Sequence, residues 1–175
     1  MAHVLSQFEQ ITTFVFDMDG VLTDGSLIIM PDGAFLRSMN IKDGYALQLA
    51  VKQGYKVVVI SGSESEPCVV RLKYLGVHDV FMKVKDKKQL LTTYLNENQI
   101  SADRVLYMGD DVPDLYAMKM VGLSCAPSDA AADVLSIAHY ISLAAGGKGA
   151  AREVIEKVLR LHGKWQVEGA DIASK

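Results

Sequence analysis

The chain has 175 residues, half of them hydrophobic, with 18 Lys and Arg against 21 Asp and Glu and a formal charge of −3. That length fills one core and is short for two domains, and a slightly acidic chain with no basic stripe excludes the footprint of a nucleic-acid binder. Cys68 and Cys125, far apart and without a CxxC pair, exclude a disulfide framework or a zinc site.

In chain order, the first ten residues carry His3, Gln7, Glu9 and Gln10, too polar for a signal-peptide core. No apolar run reaches membrane-spanning length, so a cytoplasmic protein without membrane or nucleic-acid partners is expected. Thr12–Phe16 reads as a buried strand that runs into Asp17-Met18-Asp19-Gly20. Leu27–Met30 and Ala34–Met39 flank Pro31-Asp32-Gly33, a turn signal that predicts a β-hairpin flap above the end of that strand. Helical and strand patterns then alternate. Gly44–Gln53, Glu66–Leu75, Lys87–Asn96, Asp114–Met120, Asp129–Ser136 and Ala150–Leu161 read as helices; Lys56–Ile60, Asp79–Met82, Val105–Met108, Leu123–Ala126 and His139–Ile141 read as strands.

The alternation predicts an α/β fold, a Rossmann-like parallel sheet with helices on both faces. Ligands of such sheets gather beyond the carboxyl ends of the strands. Residues 1–162 read as a single domain with a flap at about 25–40 and no room for a cap domain. Residues 163–175 read as a polar tail whose Trp165 lacks periodic apolar partners.

Strand ends carry the chemistry. Asp17 and Asp19, two apart, lie on one side of an extended chain, and Gly20 lets the backbone turn away. One carboxylate suits a nucleophile that also binds metal; the other suits an acid that protonates the leaving oxygen and then activates water. Met108-Gly109-Asp110-Asp111-Val112-Pro113-Asp114 repeats the logic at another strand end. Asp17, the main-chain carbonyl of Asp19 and Asp110 would hold Mg2+, with Asp114 supporting from behind and Asp111 serving the same role or a helix cap. Ser61, in Ile60-Ser61-Gly62-Ser63, is placed to grip a phosphoryl oxygen at a helix start. Lys87 is placed to neutralise the transferring group.

In order and at strand ends, Asp-Met-Asp-Gly-Val-Leu-Thr-Asp-Gly at 17–25, Ser61, Lys87 and Gly109-Asp110-Asp111 resemble the four motifs of the haloacid dehalogenase superfamily. Asp19 at the second acidic position is similar to the phosphatase pattern. The short flap, Asn40-Ile41-Lys42-Asp43-Gly44-Tyr45 and Gly146-Gly147-Lys148-Gly149 with Arg152-Glu153 resemble the capless 3-deoxy-D-manno-octulosonate 8-phosphate phosphatases of lipopolysaccharide precursor synthesis. The resemblance implies hydrolysis of that sugar-acid phosphate through an aspartyl-phosphate, and a homotetramer whose flaps and tails help build neighbouring sites. It also implies that Asp19, Asn40, Ile41, Lys42, Asp43, Gly44, Arg71 and Lys87 contact substrate. Gln48 and Ser63 stand where the family often has arginine, the latter normally a grip on the substrate carboxylate; Arg71, Lys42 or Lys164 would compensate, or the substrate is a nine-carbon keto sugar acid 9-phosphate. Readings from other classes are a phospho-accepting receiver domain, against which Asp19 argues, and a non-catalytic scaffold or activator.

Overall fold

A computed structural model describes residues 4–165. Along the chain run α1 (Val4–Phe8), β1 (Thr13–Phe16), the flap strands β2 (Ile28–Ile29) and β3 (Phe35–Leu36), α2 (Ile41–Lys52), β4 (Lys56–Ile60), α3 (Glu66–Tyr74), β5 (Asp79–Phe81), α4 (Lys87–Glu97), β6 (Val105–Met108), α5 (Leu115–Met118), β7 (Leu123–Ala126), α6 (Ala132–Leu135), β8 (Tyr140–Ile141) and α7 (Ala150–Leu161). Six strands form one sheet in the order β5-β4-β1-β6-β7-β8, every neighbouring pair parallel. The strand that carries Asp17 is therefore central, with β4 and β6 on either side. The chain leaves β1 in two opposite directions, which opens a crevice at its carboxyl end.

Apolar residues fill the strands without a visible polar alternation, because both faces are covered. Pleating nevertheless sorts them. Phe14, Phe16, Val57, Val59, Leu106 and Met108 face the layer that holds α2 and α7. Val15, Val58, Ile60, Val105 and Tyr107 face the layer of α4 and α5. Among the described residues, no helix is long and apolar enough to cross a membrane.

Four features depart from the sequence expectation. Only two residues of each flap strand pair, because Met39 instead bridges Thr23 and Arg37 turns down toward the sheet. The helix expected over 129–136 shrinks to Ala132–Leu135, since Asp129 is drawn off to accept the Gly146 N–H at 2.9 Å. Helix α1, too short for a periodic signal, is held by buried Phe8 edge-on against Tyr140. Trp165 lies edge-on to Tyr45, with Arg152 and Arg160 over its ring, so the tail's first residues fold back on their own domain. The rest of the expected tail, residues 166–175, lies outside the described residues.

Helix α7 depends on a cap from outside itself. Its N-cap residue is Gly149, with no side chain to offer. Asp43 of α2, 2% exposed, fills the gap: Oδ1 accepts the Arg152 N–H at 2.7 Å and Oδ2 the Gly149 N–H at 3.2 Å. Two orphan donors at the start of a buried helix are thereby satisfied. Asp43→Ala is expected to lower the free energy of unfolding by about 2 kcal/mol, a lost cap plus unpaired buried N–H groups, read as a lower urea midpoint at unchanged slope.

Candidate active site

At the end of β1 the chain winds into a wide turn over Met18–Leu22, in which Gly20 has φ +81°. A Cβ there would lie 1.9 Å from Asp110 Oδ2, so only glycine lets the two acidic strand ends approach. From below, Gly147 donates its N–H to the Val21 carbonyl at 2.9 Å. Gly146 passes so near that a Cβ on it would lie 1.9 Å from the Gly20 carbonyl oxygen. The turn is thus wedged between Asp110 and a loop from the far end of the chain.

Asp17 is 7% exposed. Its Oδ1 accepts the Met18 N–H at 2.7 Å and pairs with Lys87 Nζ at 2.9 Å, which fixes the carboxylate's orientation. Lys87, at the start of α4, donates to Asp114 Oδ1 at 2.8 Å. The Tyr107 hydroxyl donates to that oxygen at 2.7 Å, and the Asp110 N–H to Asp114 Oδ2 at 3.3 Å. Both Asp114 oxygens are therefore engaged, so this fully buried residue holds its neighbours in place. Asp111 accepts the Val112 N–H at 2.8 Å and is exposed; it starts the helical turn.

Asp17, Asp110 and Asp114 offer carboxylate oxygens within 4.8 Å of one another. Burial, then repulsion from Asp114, raises the Asp17 carboxyl above the ordinary range although Lys87 opposes this. Burial, then Asp17 and Asp114, raises Asp110 further. Burial works against the charge on Lys87, but Asp114 and Asp17 outweigh it and raise its pKa. Asp110 Oδ1 is buried without a hydrogen-bond partner, an arrangement too costly to keep unless something else satisfies it. An all-oxygen set with an orphaned buried carboxylate oxygen fits a hard divalent cation.

Asp19 lies at the mouth, its side chain 31% exposed. Burial alone would raise its pKa, but hydrogen bonds from Arg37 and Ser63, the Arg37 charge and Thr23 hold it below the usual carboxylate range. Arg37 Nε donates to Oδ1 at 2.7 Å and Nη2 to Oδ2 at 3.2 Å; Ser63 Oγ donates to Oδ2 at 2.7 Å. Ser61 Oγ lies 3.0 Å from Ser63 Oγ and accepts the Ser63 N–H at 3.2 Å.

Of the residues singled out from sequence, Asp17, Asp19, Ser61, Lys87, Asp110, Asp111 and Asp114 line one cavity of about 330 Å³. The Asn40–Gly44 group and Arg71 do not line it. Asn40 caps α2 through the Lys42 N–H at 2.8 Å and donates to the Gly147 carbonyl at 3.2 Å, and Ile41 and Lys42 are exposed. Asp43 caps α7 through the Gly149 and Arg152 N–H groups. Gly44 is buried against Arg71, whose Nη2 would lie 3.1 Å from a Cβ there. Sequence reasoning missed Arg37 and Tyr107. A tyrosine inside an apolar strand reads as core, and nothing local to the flap says where Arg37 points.

The sequence profile of haloacid dehalogenase-like hydrolases matches residues 70–154. The 3-deoxy-D-manno-octulosonate 8-phosphate phosphatase KdsC of Salmonella typhi is 33% identical over 162 residues, 93% of this chain and 86% of the relative. A crystal structure of the phosphatase of that name from Yersinia pestis superposes with a TM-score of 0.89 at 32% identity, covering 92% of this chain and 87% of that one. Another from Moraxella catarrhalis, in complex with magnesium ion, phosphate ion and a KDO molecule, gives 0.88 at 29% identity, covering 92% of each. Fold and sequence together define a capless hydrolase of the haloacid dehalogenase class. Within that class the chain belongs to the 3-deoxy-D-manno-octulosonate 8-phosphate phosphatase family, and it is an enzyme acting on phosphoric monoesters.

A raised carboxyl pKa means that the folded, metal-free protein binds the proton more tightly than the unfolded chain. The contribution of Asp110 to stability is then present below the ordinary carboxylate range and lost as the pH rises through its raised pKa. Asp110→Asn is expected to make the metal-free protein melt higher at neutral pH and to flatten that pH dependence. The same variant should lose the rise in Tm that magnesium gives the wild type, read by thermal denaturation with and without the ion.

Proposed function

We propose that the chain is a Mg2+-dependent phosphatase of 3-deoxy-D-manno-octulosonate 8-phosphate, releasing the sugar acid and phosphate through an aspartyl-phosphate on Asp17. The observation that carries this reading is the pairing of two unlike carboxylates on one turn. Asp17 is buried and fixed by Lys87, whereas Asp19 is at the mouth, where a leaving group has to pass. A receiver domain has no use for the second, since it must keep its acyl-phosphate.

Asp19, ionised in the free enzyme under its hydrogen bonds from Arg37 and Ser63, takes up a proton from solvent as the substrate enters. Asp17 then attacks phosphorus, the bond from phosphorus to the sugar oxygen breaks, and the proton on Asp19 goes to that oxygen. Asp19, now ionised, takes a proton from water as the water oxygen attacks phosphorus. The bond from Asp17 to phosphorus breaks, returning the carboxylate and inorganic phosphate. Ser61 and the backbone at Gly62, both lining the cavity, would face the phosphoryl oxygens, and Lys87 would offset their charge. Asp17, the Asp19 carbonyl and Asp110 would hold Mg2+, which supplies charge neutralisation to the phosphoryl group and to Asp17. A cavity of about 330 Å³ holds the phosphate and the nearest sugar carbons and leaves the sugar's far end to the flap and rim.

Two cysteines that are free and buried suit a reducing cytoplasm, and the flap supports a homotetramer. Ile28, Ile29 and Phe35 are 62%, 72% and 51% exposed, an apolar face of the kind that oligomers cover.

Asp17→Asn is expected to lower kcat by at least about a thousandfold with the fold intact, as loss of a covalent nucleophile does. Rapid-quench mass spectrometry should find a phosphoryl adduct on Asp17 in the wild type only. On a panel of sugar phosphates, the eight-carbon acid should exceed the nine-carbon 9-phosphates in kcat/KM by at least about tenfold, within the range that a few pocket contacts provide. A nine-carbon acid at the top of the panel would replace the substrate and keep the mechanism.

A further inference from the structure

Asp19 has to meet the leaving oxygen of the substrate, and in the free enzyme it has no vacancy for it. Oδ1 receives Arg37 Nε at 2.7 Å and Thr23 Oγ1 at 3.4 Å. Oδ2 receives Ser63 Oγ at 2.7 Å and Arg37 Nη2 at 3.2 Å. Four donors fill the acceptor positions a carboxylate offers, so substrate binding must displace one of them. Thr23 is fully buried in the turn, and Ser63 is held on both sides, its N–H on Ser61 Oγ and its carbonyl accepting the Lys83 N–H at 3.0 Å. Arg37 comes from the flap, tied to the body near it by a bridge from Met39 to Thr23.

A displaced Arg37 needs another anion. Its side chain is only 4% exposed, and a covered guanidinium without a counter-charge is costly. In the reading above, the phosphoryl group is met by Lys87 and Ser61. An acidic sugar brings a second anion on the leaving-group side, and its carboxylate has the planar, two-oxygen shape that the arginine fork now holds on Asp19. We propose that Arg37 exchanges Asp19 for the carboxylate of the sugar acid when substrate binds. One flap residue thereby selects an acidic sugar and frees Asp19 to meet the leaving oxygen. The cation that Ser63 does not provide arrives from the flap, next to the Ser63 hydroxyl itself.

The inference rests on the sugar-acid reading above, and the two can fail separately. The test compares the wild type, Arg37→Met and Arg37→Lys on 3-deoxy-D-manno-octulosonate 8-phosphate and on the neutral arabinose 5-phosphate. In Arg37→Met, KM for the acidic substrate should rise about tenfold to a hundredfold more than KM for the neutral one, the range of a charge-assisted pair. Arg37→Lys, which keeps the charge and loses the fork, should recover part of the difference. Inhibition by the free sugar acid against its methyl ester reads the same contact without turnover. The wild type should favour the acid, and Arg37→Met should bind the two alike. Equal losses on both substrates, or a loss confined to kcat with the inhibitor preference intact, would show that Arg37 serves Asp19 alone and would overturn the exchange. A wild type that does not prefer the acidic substrate would refute the sugar-acid reading before any variant is made.

Discussion

Three carboxylates are forced together against one buried ammonium, and the site is built around that imbalance. Asp17, Asp110 and Asp114 converge at the carboxyl ends of adjacent strands, and Lys87 bridges two of them. Burial strengthens both the repulsion and the attraction, since water no longer screens either. Asp114 is satisfied on both oxygens, Asp17 on one, and Asp110 Oδ1 on neither side. The deficit is therefore graded: it is least at Asp114, which holds its neighbours in place, and greatest at Asp110. Such a gradient places the demand for positive charge at one point in space, where a cation and a phosphoryl group can share it.

The flap changes the balance at the cavity mouth. A capless enzyme leaves its site open, yet here a hairpin only two residues wide on each strand delivers an arginine to Asp19. The electrostatics of the mouth thus depend on a segment with little packing of its own. Elements with few buried contacts open at low cost, so the ion pair between Arg37 and Asp19 contributes to holding the flap down as well as to tuning the acid. Closure and charge state are linked through that single contact.

Much of the architecture was legible because each strand end announced itself. An apolar run that stops at Asp-Met-Asp-Gly, at Ser-Gly-Ser or at Gly-Asp-Asp has few meanings in a parallel sheet, and the topology brings all three to one edge. The sugar contacts were less legible because Asn40 and Asp43 are the residue types that cap helices. Sequence cannot say which helix a cap serves. Asp43 serves one that begins more than a hundred residues later. Arg37 was hidden for the opposite reason, since its role depends on where a short hairpin folds over. Tyr107 follows neither pattern. Its ring belongs to the core and its hydroxyl to the site, a division visible only once the side chain's direction is known.

The loop at Gly146 and Gly147 also sets an order of events during synthesis. The turn bearing Asp17 is closed from below by this loop, whose N–H from Gly147 holds the Val21 carbonyl, and α7 just beyond it is capped from α2. A nascent chain that has emerged from the ribosome as far as Asp114 already possesses every carboxylate of the site. It does not yet possess the wedge that sets their spacing. Competence for metal and for chemistry therefore arrives late and abruptly, when the last helix docks, and incomplete chains carry the acidic residues without the geometry that makes them reactive.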